Sequence, residues 1–272
     1  MMNRIIGLLI LTCSLNVAFS QSISQSNVPA VVLNSFQLSY PTAEEIKWKK
    51  DQSNYRIRYK VNKKSHDLTM DYKGMVIKHT QDLYLSEIPQ NVLETIRAKI
   101  SYFDLQDADL VEKEGKVIYE TKFKFDGSNI YFWINEKGEL QKYRRELKDE
   151  EIPASVLNAI KSQYGKFDIE RAKYVEDGGN TNYIIGAEIN DKDHVFWFDI
   201  KANLLKHTQD LKDSEIPAAI LKKVNSDYKN YDVRDADLIE IRENVTYVLK
   251  LKGSEKQVYI TFNKAGKVLE TK

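Results

Sequence analysis

Four histidines, His66, His79, His194 and His207, are the side chains here best suited to acid–base or metal chemistry near neutral pH. They form two repeat-equivalent pairs. His79 and His207 each stand in an identical Lys-His-Thr-Gln-Asp-Leu stretch, 78–83 and 206–211, while His66 and His194 precede the matching hydrophobic positions Met70 and Phe198. Such symmetry points to a structural role. The sequence holds no His-Glu-x-x-His pattern, Cys/His cluster or close carboxylate–histidine grouping, so no metal is expected.

A second set is acidic: Asp107 and Asp109, matched in a later repeat by Asp235 and Asp237. Alternate residues of a strand share a face, and paired carboxylates can do general acid–base work. Each pair falls where a helix hands over to a strand, with no nucleophile pattern or pocket-forming glycine beside it, so capping or solvation is the expected role. There is no Gly-x-Ser-x-Gly, no P-loop and no dinucleotide-binding glycine pattern, and Asn244-Val245-Thr246 is a glycosylation sequon by spelling only. Neither catalysis nor a cofactor is expected.

The elements that must position these residues recur. Ser86-Glu87-Ile88-Pro89 returns as Glu150-Glu151-Ile152-Pro153 and Ser214-Glu215-Ile216-Pro217, with a worn copy at Ser26-Asn27-Val28-Pro29. The prolines at 29, 89, 153 and 217 are spaced by 60, 64 and 64 residues, which defines four repeats. Each proline suits the first turn of a helix. Apolar residues then follow at helical spacing: Val92, Leu93, Ile96 and Ile100; Val156, Leu157, Ile160 and Tyr164; Ile220, Leu221, Val224 and Tyr228.

After each helix the apolar period shortens to two, as in Tyr55, Ile57, Tyr59 and Val61 or Tyr119, Thr121, Phe123 and Phe125. Hairpin turns carry Asp or Asn first and Gly fourth: Asp71 and Gly74, Asn135 and Gly138, Asn263 and Gly266. The third repeat has Asp199 but Ala202, and Asn203 is expected to take the left-handed conformation there. A longer period lies above the first, because 78–83 matches 206–211 and Asp104–Leu110 resembles Asp232–Leu238 at the same 128-residue separation. Repeats 1 and 2 are therefore expected to form one domain, 28–147, and repeats 3 and 4 another, 148–272.

The bulk composition agrees with a packed protein, at 42% hydrophobic and 11% aromatic residues in 272. Met1 to Arg4 is a basic start, Ile5–Leu11 a short apolar run, and Ala18-Phe19-Ser20 a small-x-small cleavage pattern, so residues 1–20 read as an export signal too short to span a membrane. The protein is expected to be periplasmic or secreted; the competing reading is a lipid anchor on Cys13, the only cysteine. Loss of Arg4 leaves 40 basic against 40 acidic residues, with no basic patch for nucleic acid. The Lys47-Trp48-Lys49-Lys50 run, followed at once by Asp51, reads as a solvated strand.

Tyr40-Pro41-Thr42-Ala43 followed by Trp48, the strand Tyr55–Val61 and the turn Asp71-Tyr72-Lys73-Gly74 stand in the order of the PepSY-like proteins grouped with the β-lactamase-inhibitor-like fold, which residues 28 to 272 resemble. The resemblance implies an α+β fold of four helix-plus-antiparallel-sheet repeats, paired into two tandem PepSY-like domains. It also implies an exported, non-enzymatic binding or inhibitory role through an open sheet face, and brings no catalytic residues.

Aligned on their turns, the repeats place Ile130, Phe132, Ile134, Phe196, Phe198, Val258, Ile260 and Phe262 toward the helices. Tyr131, Trp133, Val195, Trp197 and Tyr259 then fall on the opposite face. Large aromatics among Arg56, Arg58, Lys122, Lys124 and Lys250 make a recognition surface for a protein or peptide, because Trp, Tyr and Arg dominate binding hot spots. Tyr131, Trp133, Trp197, Tyr259, Arg56 and Arg58 are the expected contacts. The competing readings are that Trp133 and Trp197 cover each other or a domain junction, and that the protein is a self-associating envelope scaffold.

Overall fold

The computed structural model describes residues 21–102, 104–254 and 256–272. The proposed signal peptide and Cys13 lie outside them. The repeated Glu-Ile-Pro stretch makes a short 3-10 turn that feeds a helix. The carboxylates of Glu151 and Glu215 accept the backbone N–H groups of Lys148 and Lys212 at 2.8 and 2.9 Å. Ile88, Ile152 and Ile216 are buried beneath their turns. Proline is the cap rather than the first helical residue, and the helices begin one position later: α1 (Ala30–Ser39), α2 (Gln90–Lys99), α3 (Ala154–Tyr164) and α4 (Ala218–Asp227).

Among the described residues the chain forms two compact units. The first runs to Tyr84 and adds Asp109–Val117. It holds α1, β1 (Gln21–Ile23), β2 (Glu44–Asp51), β3 (Asn54–Val61), β4 (Lys64–Met70) and β5 (Val76–Asp82), each strand pairing antiparallel with the next. β5 pairs in turn with the end of β6 (Asp104–Lys113). Val32 and Phe36 of α1 pack on Trp48, Tyr55, Ile57, Tyr59, Leu68 and Met70. Trp48 therefore departs from the solvated strand expected of its lysine-rich run. It is 4% exposed and meets Phe36 edge-on at 5.2 Å, because alternation turns it inward while its lysine neighbours face water.

The second unit comprises Leu85–Ala108 and Ile118–Lys272. Beside α2, α3 and α4 it contains β7 (Lys116–Phe125) from Ile118 onward, β8 (Ser128–Asn135), β9 (Leu140–Leu147), β10 (Asp168–Asp177), β11 (Asn180–Glu188), β12 (Asp193–Asp199) and β13 (Leu204–Asp210). β14 (Asp232–Ile241), β15 (Asn244–Lys252), β16 (Gln257–Asn263) and β17 (Val268–Thr271) complete it. From β7 onward each strand pairs antiparallel with its successor. A ladder from Ala172↔Leu147 to Asp177↔Lys142 joins β9 to β10, so strand pairing continues past residue 147.

The helix-facing side is the one that alternation selects. Ile130, Phe132, Ile134, Phe196, Phe198, Ile260 and Phe262 are all buried, together with Val156 and Ile160 of α3 and Ile220 and Val224 of α4. One buried hydroxyl in this core is left unpartnered. The Thr121 hydroxyl, on a residue 4% exposed, has no hydrogen-bond partner. Thr121→Val removes an unsatisfied buried group at nearly constant volume and is expected to stabilise the protein by about 1 kcal/mol in urea denaturation.

Candidate functional site

Alternation leaves the other face of the second unit's sheet without a helix. Tyr131 and Trp133 of β8, Trp197 of β12 and Tyr259 of β16 lie there, all half-buried. Tyr131 and Trp133 stack with centroids 6.2 Å apart and 20° between planes. Trp197 is four strands from Trp133, roughly 19 Å at the usual strand spacing, so the two indoles do not cover each other. Their shielding comes from cations in register on adjacent strands. The Arg144 guanidinium lies 3.8 Å from the Tyr131 centroid and 5.7 Å from that of Trp133. Lys142 stands 5.5 Å over Trp133, Lys206 4.5 Å over Trp197 and Lys250 5.9 Å over Tyr259.

Arg56 and Arg58 lie on β3 in the first unit, where both are held by Asp67 of β4. The Arg56 Nε donates to Asp67 Oδ1 at 2.7 Å and the Arg58 Nε to Oδ2 at 3.0 Å. Burial raises the Asp67 carboxyl, but these two hydrogen bonds and charges outweigh it and hold the group below its ordinary range. A cleft of about 410 Å³, lined among others by Ile23, Trp48, Lys49, Arg56 and Arg58, opens beside them.

The histidines depart most from expectation. His66 and His79 pack as parallel rings, with Nδ1 of the first 3.0 Å from Nε2 of the second, and His194 and His207 repeat the arrangement at 2.9 Å. All four are buried. A carboxylate stands beside each pair: Glu112 Oε2 is 3.2 Å from His79 Nδ1 and Glu240 Oε2 is 3.6 Å from His207 Nδ1. A close carboxylate–histidine grouping therefore exists, contrary to the sequence expectation. It comes from β5 meeting β6 and β13 meeting β14, where His79↔Glu112 and His207↔Glu240 are register partners.

Glu112 accepts from His79 Nδ1, and the Tyr59 hydroxyl, 3.4 Å from His79 Nε2, shares that nitrogen with His66. Burial depresses His66, and the neighbouring His79 adds to the effect. Burial likewise pushes His207 down to about 4, and burial with the adjacent His207 pushes His194 to about 4. Burial also raises the Tyr164 hydroxyl, which lies 3.3 Å from His207 Nδ1, to about 12. In each pair the facing ring nitrogens lie within hydrogen-bond distance of each other, which links the two rings into a buried plug in the core.

The aspartates also sit differently from expectation. Asp109 pairs in register with Asp82, and Asp237 with Asp210, inside strands rather than at helix caps. Burial and then the charges of Asp235 and Asp210 raise Asp237 to about 6, and burial with Asp193 and Asp235 raises Asp210. Among the described residues, one carboxylate group has ligand atoms close enough for a cation, Glu170, Glu188 and Asp193, and all three are exposed.

Repeats of one helix laid on a four-stranded antiparallel meander define a tandem α+β repeat protein. The chain belongs to the beta-lactamase-inhibitor-like, PepSY-like family, whose model matches residues 18–78, 75–142, 126–206 and 184–270. The match bears out the family resemblance and the count of four repeats. Several solved structures are similar. A DUF2874 family protein from Bacteroides ovatus is 20% identical, covering 46% of this chain and 94% of its own at a TM-score of 0.38. A BLIP-like protein from Bacteroides fragilis is 24% identical over 44% of this chain and 84% of its own, at 0.36. A Bacteroides eggerthii protein described as periplasmic is 21% identical over 44% and 87%, at 0.37. Among curated proteins none matches. No helix of the described residues is long and apolar enough to cross a membrane.

Proposed function

We propose that this protein is an exported, non-enzymatic binding module that holds a protein or peptide partner on the open sheet face of its second unit. Tyr131, Trp133, Trp197 and Tyr259 are the anchors. The observation that carries the reading is the grouping of four large, half-exposed rings on one sheet face that no helix of the described residues covers. The family's inhibitor-like description fits a partner such as an envelope hydrolase. Arg56 and Arg58 enter as a separate patch on the first unit. The proposed leader of residues 1–20 directs the chain to the periplasm or beyond.

Affinity capture from envelope extract with residues 21–272 tests this, run beside Trp133→Ala/Trp197→Ala confirmed folded by circular dichroism. A single partner retained by the native chain and lost by the variant is the expected result. Equal capture by both removes the face from the proposal. Capture of nothing, together with a concentration-dependent dimer, replaces it with self-association.

A further inference from the structure

The open face is charged in two blocks. Around Tyr131 and Trp133 stand Lys122, Lys142, Arg144 and Lys173, on strands β7, β9 and β10; Asp177 pairs with Lys142 at 2.7 Å, Glu146 faces Lys173 and Glu120 faces Trp133, while Arg144 lies opposite Val175 rather than an acid. The Arg144 guanidinium lies over Tyr131 and within reach of Trp133, and its buried Nε has no hydrogen-bond partner. Lys173 is depressed by its burial and then by the nearby positive charges of Arg144 and Arg171, against which its register partner Glu146 acts only in part. Further along the strand order, Asp193, Asp210, Asp235 and Asp237 of β12 to β14 crowd together, with Asp210 and Asp237 directly opposed. Like charges facing each other across a ladder repel, although Asp210 and Asp237 share a side-chain hydrogen bond and Asp235 faces Lys250 in register.

We propose, resting on the reading above, that the Arg144 end of this face receives an acidic polypeptide segment of the partner. A stacked guanidinium is pre-oriented for a carboxylate, and the rings give flanking apolar contact. The occupant is a polypeptide and not a polyanionic glycan or anionic membrane because of the second block. A uniformly negative polymer laid along the face is repelled by the four aspartates, whereas a protein surface can place acids over Arg144 and a base over Asp210 and Asp237.

The test uses the 21–272 chain and a synthetic peptide of alternating Glu and Ala, followed by Trp fluorescence and by NMR of the indole N–H groups. Binding is expected to perturb the Trp133 indole, to weaken with added salt, and to fall about tenfold or more in Arg144→Gln. Arg144→Lys, which keeps the charge but loses the fork, is expected to fall between the two. A Lys/Ala peptide, dextran sulfate and vesicles containing phosphatidylglycerol are run in parallel. No Glu/Ala binding, or equal binding by Arg144→Gln, overturns the proposal. Tighter, Arg144-dependent binding of dextran sulfate or of the vesicles overturns the choice of polypeptide. If the peptide fails while Trp133→Ala/Trp197→Ala still abolishes partner capture, the acidic segment is wrong and the face stands; if both fail, the face falls as well.

Discussion

Lowering the pH from 7 to 4 is expected to remove several kcal/mol of folding stability, with the loss beginning near pH 6.5. His194 and His207 are 4% and 2% exposed, and burial brings both from 6.5 to about 4 in the folded chain. A group depressed on folding stays neutral in the native state while the unfolded chain takes up protons. The stability these rings contribute is therefore complete above 6.5 and drains away as pH falls toward 4. At 1.36 kcal/mol per unit, each ring contributes on the order of 3 kcal/mol, and the pair less than twice that because its two rings share one hydrogen bond. Lys192, Asp193 and Glu215 lie near His194, while Glu240 and Tyr164 face His207. His66 adds in the same direction in the first unit.

Asp237 works the other way. Raised to about 6, it takes its proton earlier in the folded chain, so it stabilises as pH drops through 6 and softens part of the loss. Thermal denaturation at pH 7.5, 6, 5 and 4 measures the sum. The control comes from the molecule itself, since repeat 2 fills the turn-aligned positions of the histidine pair with Ile130 and Tyr143. His194→Ile/His207→Tyr is expected to flatten most of the acid loss. An unchanged pH profile in that variant would show that the histidine pair does not set the acid limit.

The same pair shows where sequence reading stops. Periodicity located the helices and the inward residues, because helical spacing and strand alternation are local and each repeat confirms the next. Proline positions gave the repeat length and Glu-Ile-Pro the helix entry. The histidines were recognised as symmetric and structural, yet their contact with Glu112 and Glu240 was not legible. It depends on β5 pairing with β6 in one particular register, and on helix α2 and its loops lying between the two strands in sequence. The opposition of Asp210 to Asp237 was hidden for the same reason. Trp48 was obscured differently, since a run of lysines hid an inward position that alternation alone would have marked. The open face was legible as a set of rings. What the sequence did not reveal is that Arg144, absent from the expected contacts, lies over Tyr131 and within reach of Trp133; the signal available was its register opposite Tyr131.

Gly266→Ala and Gly138→Ala are each expected to cost about 2–3 kcal/mol in urea denaturation, and Ala202→Gly to return about 1. Gly266 closes its hairpin at φ +80, and a methyl there would meet the Ala219 carbonyl oxygen of α4 at 2.8 Å. Gly138, at φ +81, would meet the Asn91 oxygen of α2 at 3.0 Å. Each obstacle is helix backbone, which cannot swing aside. The turn is thus pressed against the helix start, and glycine supplies both the left-handed conformation and the missing atom. In repeat 3 the expectation was that Asn203 would take the left-handed conformation. Instead Ala202 itself has φ +62, and Asp199 accepts the Lys201 and Asn203 amides at 2.8 and 2.9 Å just as Asn135 accepts those of Lys137 and Glu139 at 3.0 and 2.9 Å. The hydrogen-bonded frame overrides the side-chain preference, and the strain stays in place. Part of it is offset because the Ala202 methyl packs against the core under α3, which is why the gain from glycine is put below the full left-handed penalty. Should Ala202→Gly prove destabilising, that packing outweighs the strain and the third turn is held by its methyl; should Gly266→Ala cost no more than an exposed turn, the hairpin is not pinned to its helix.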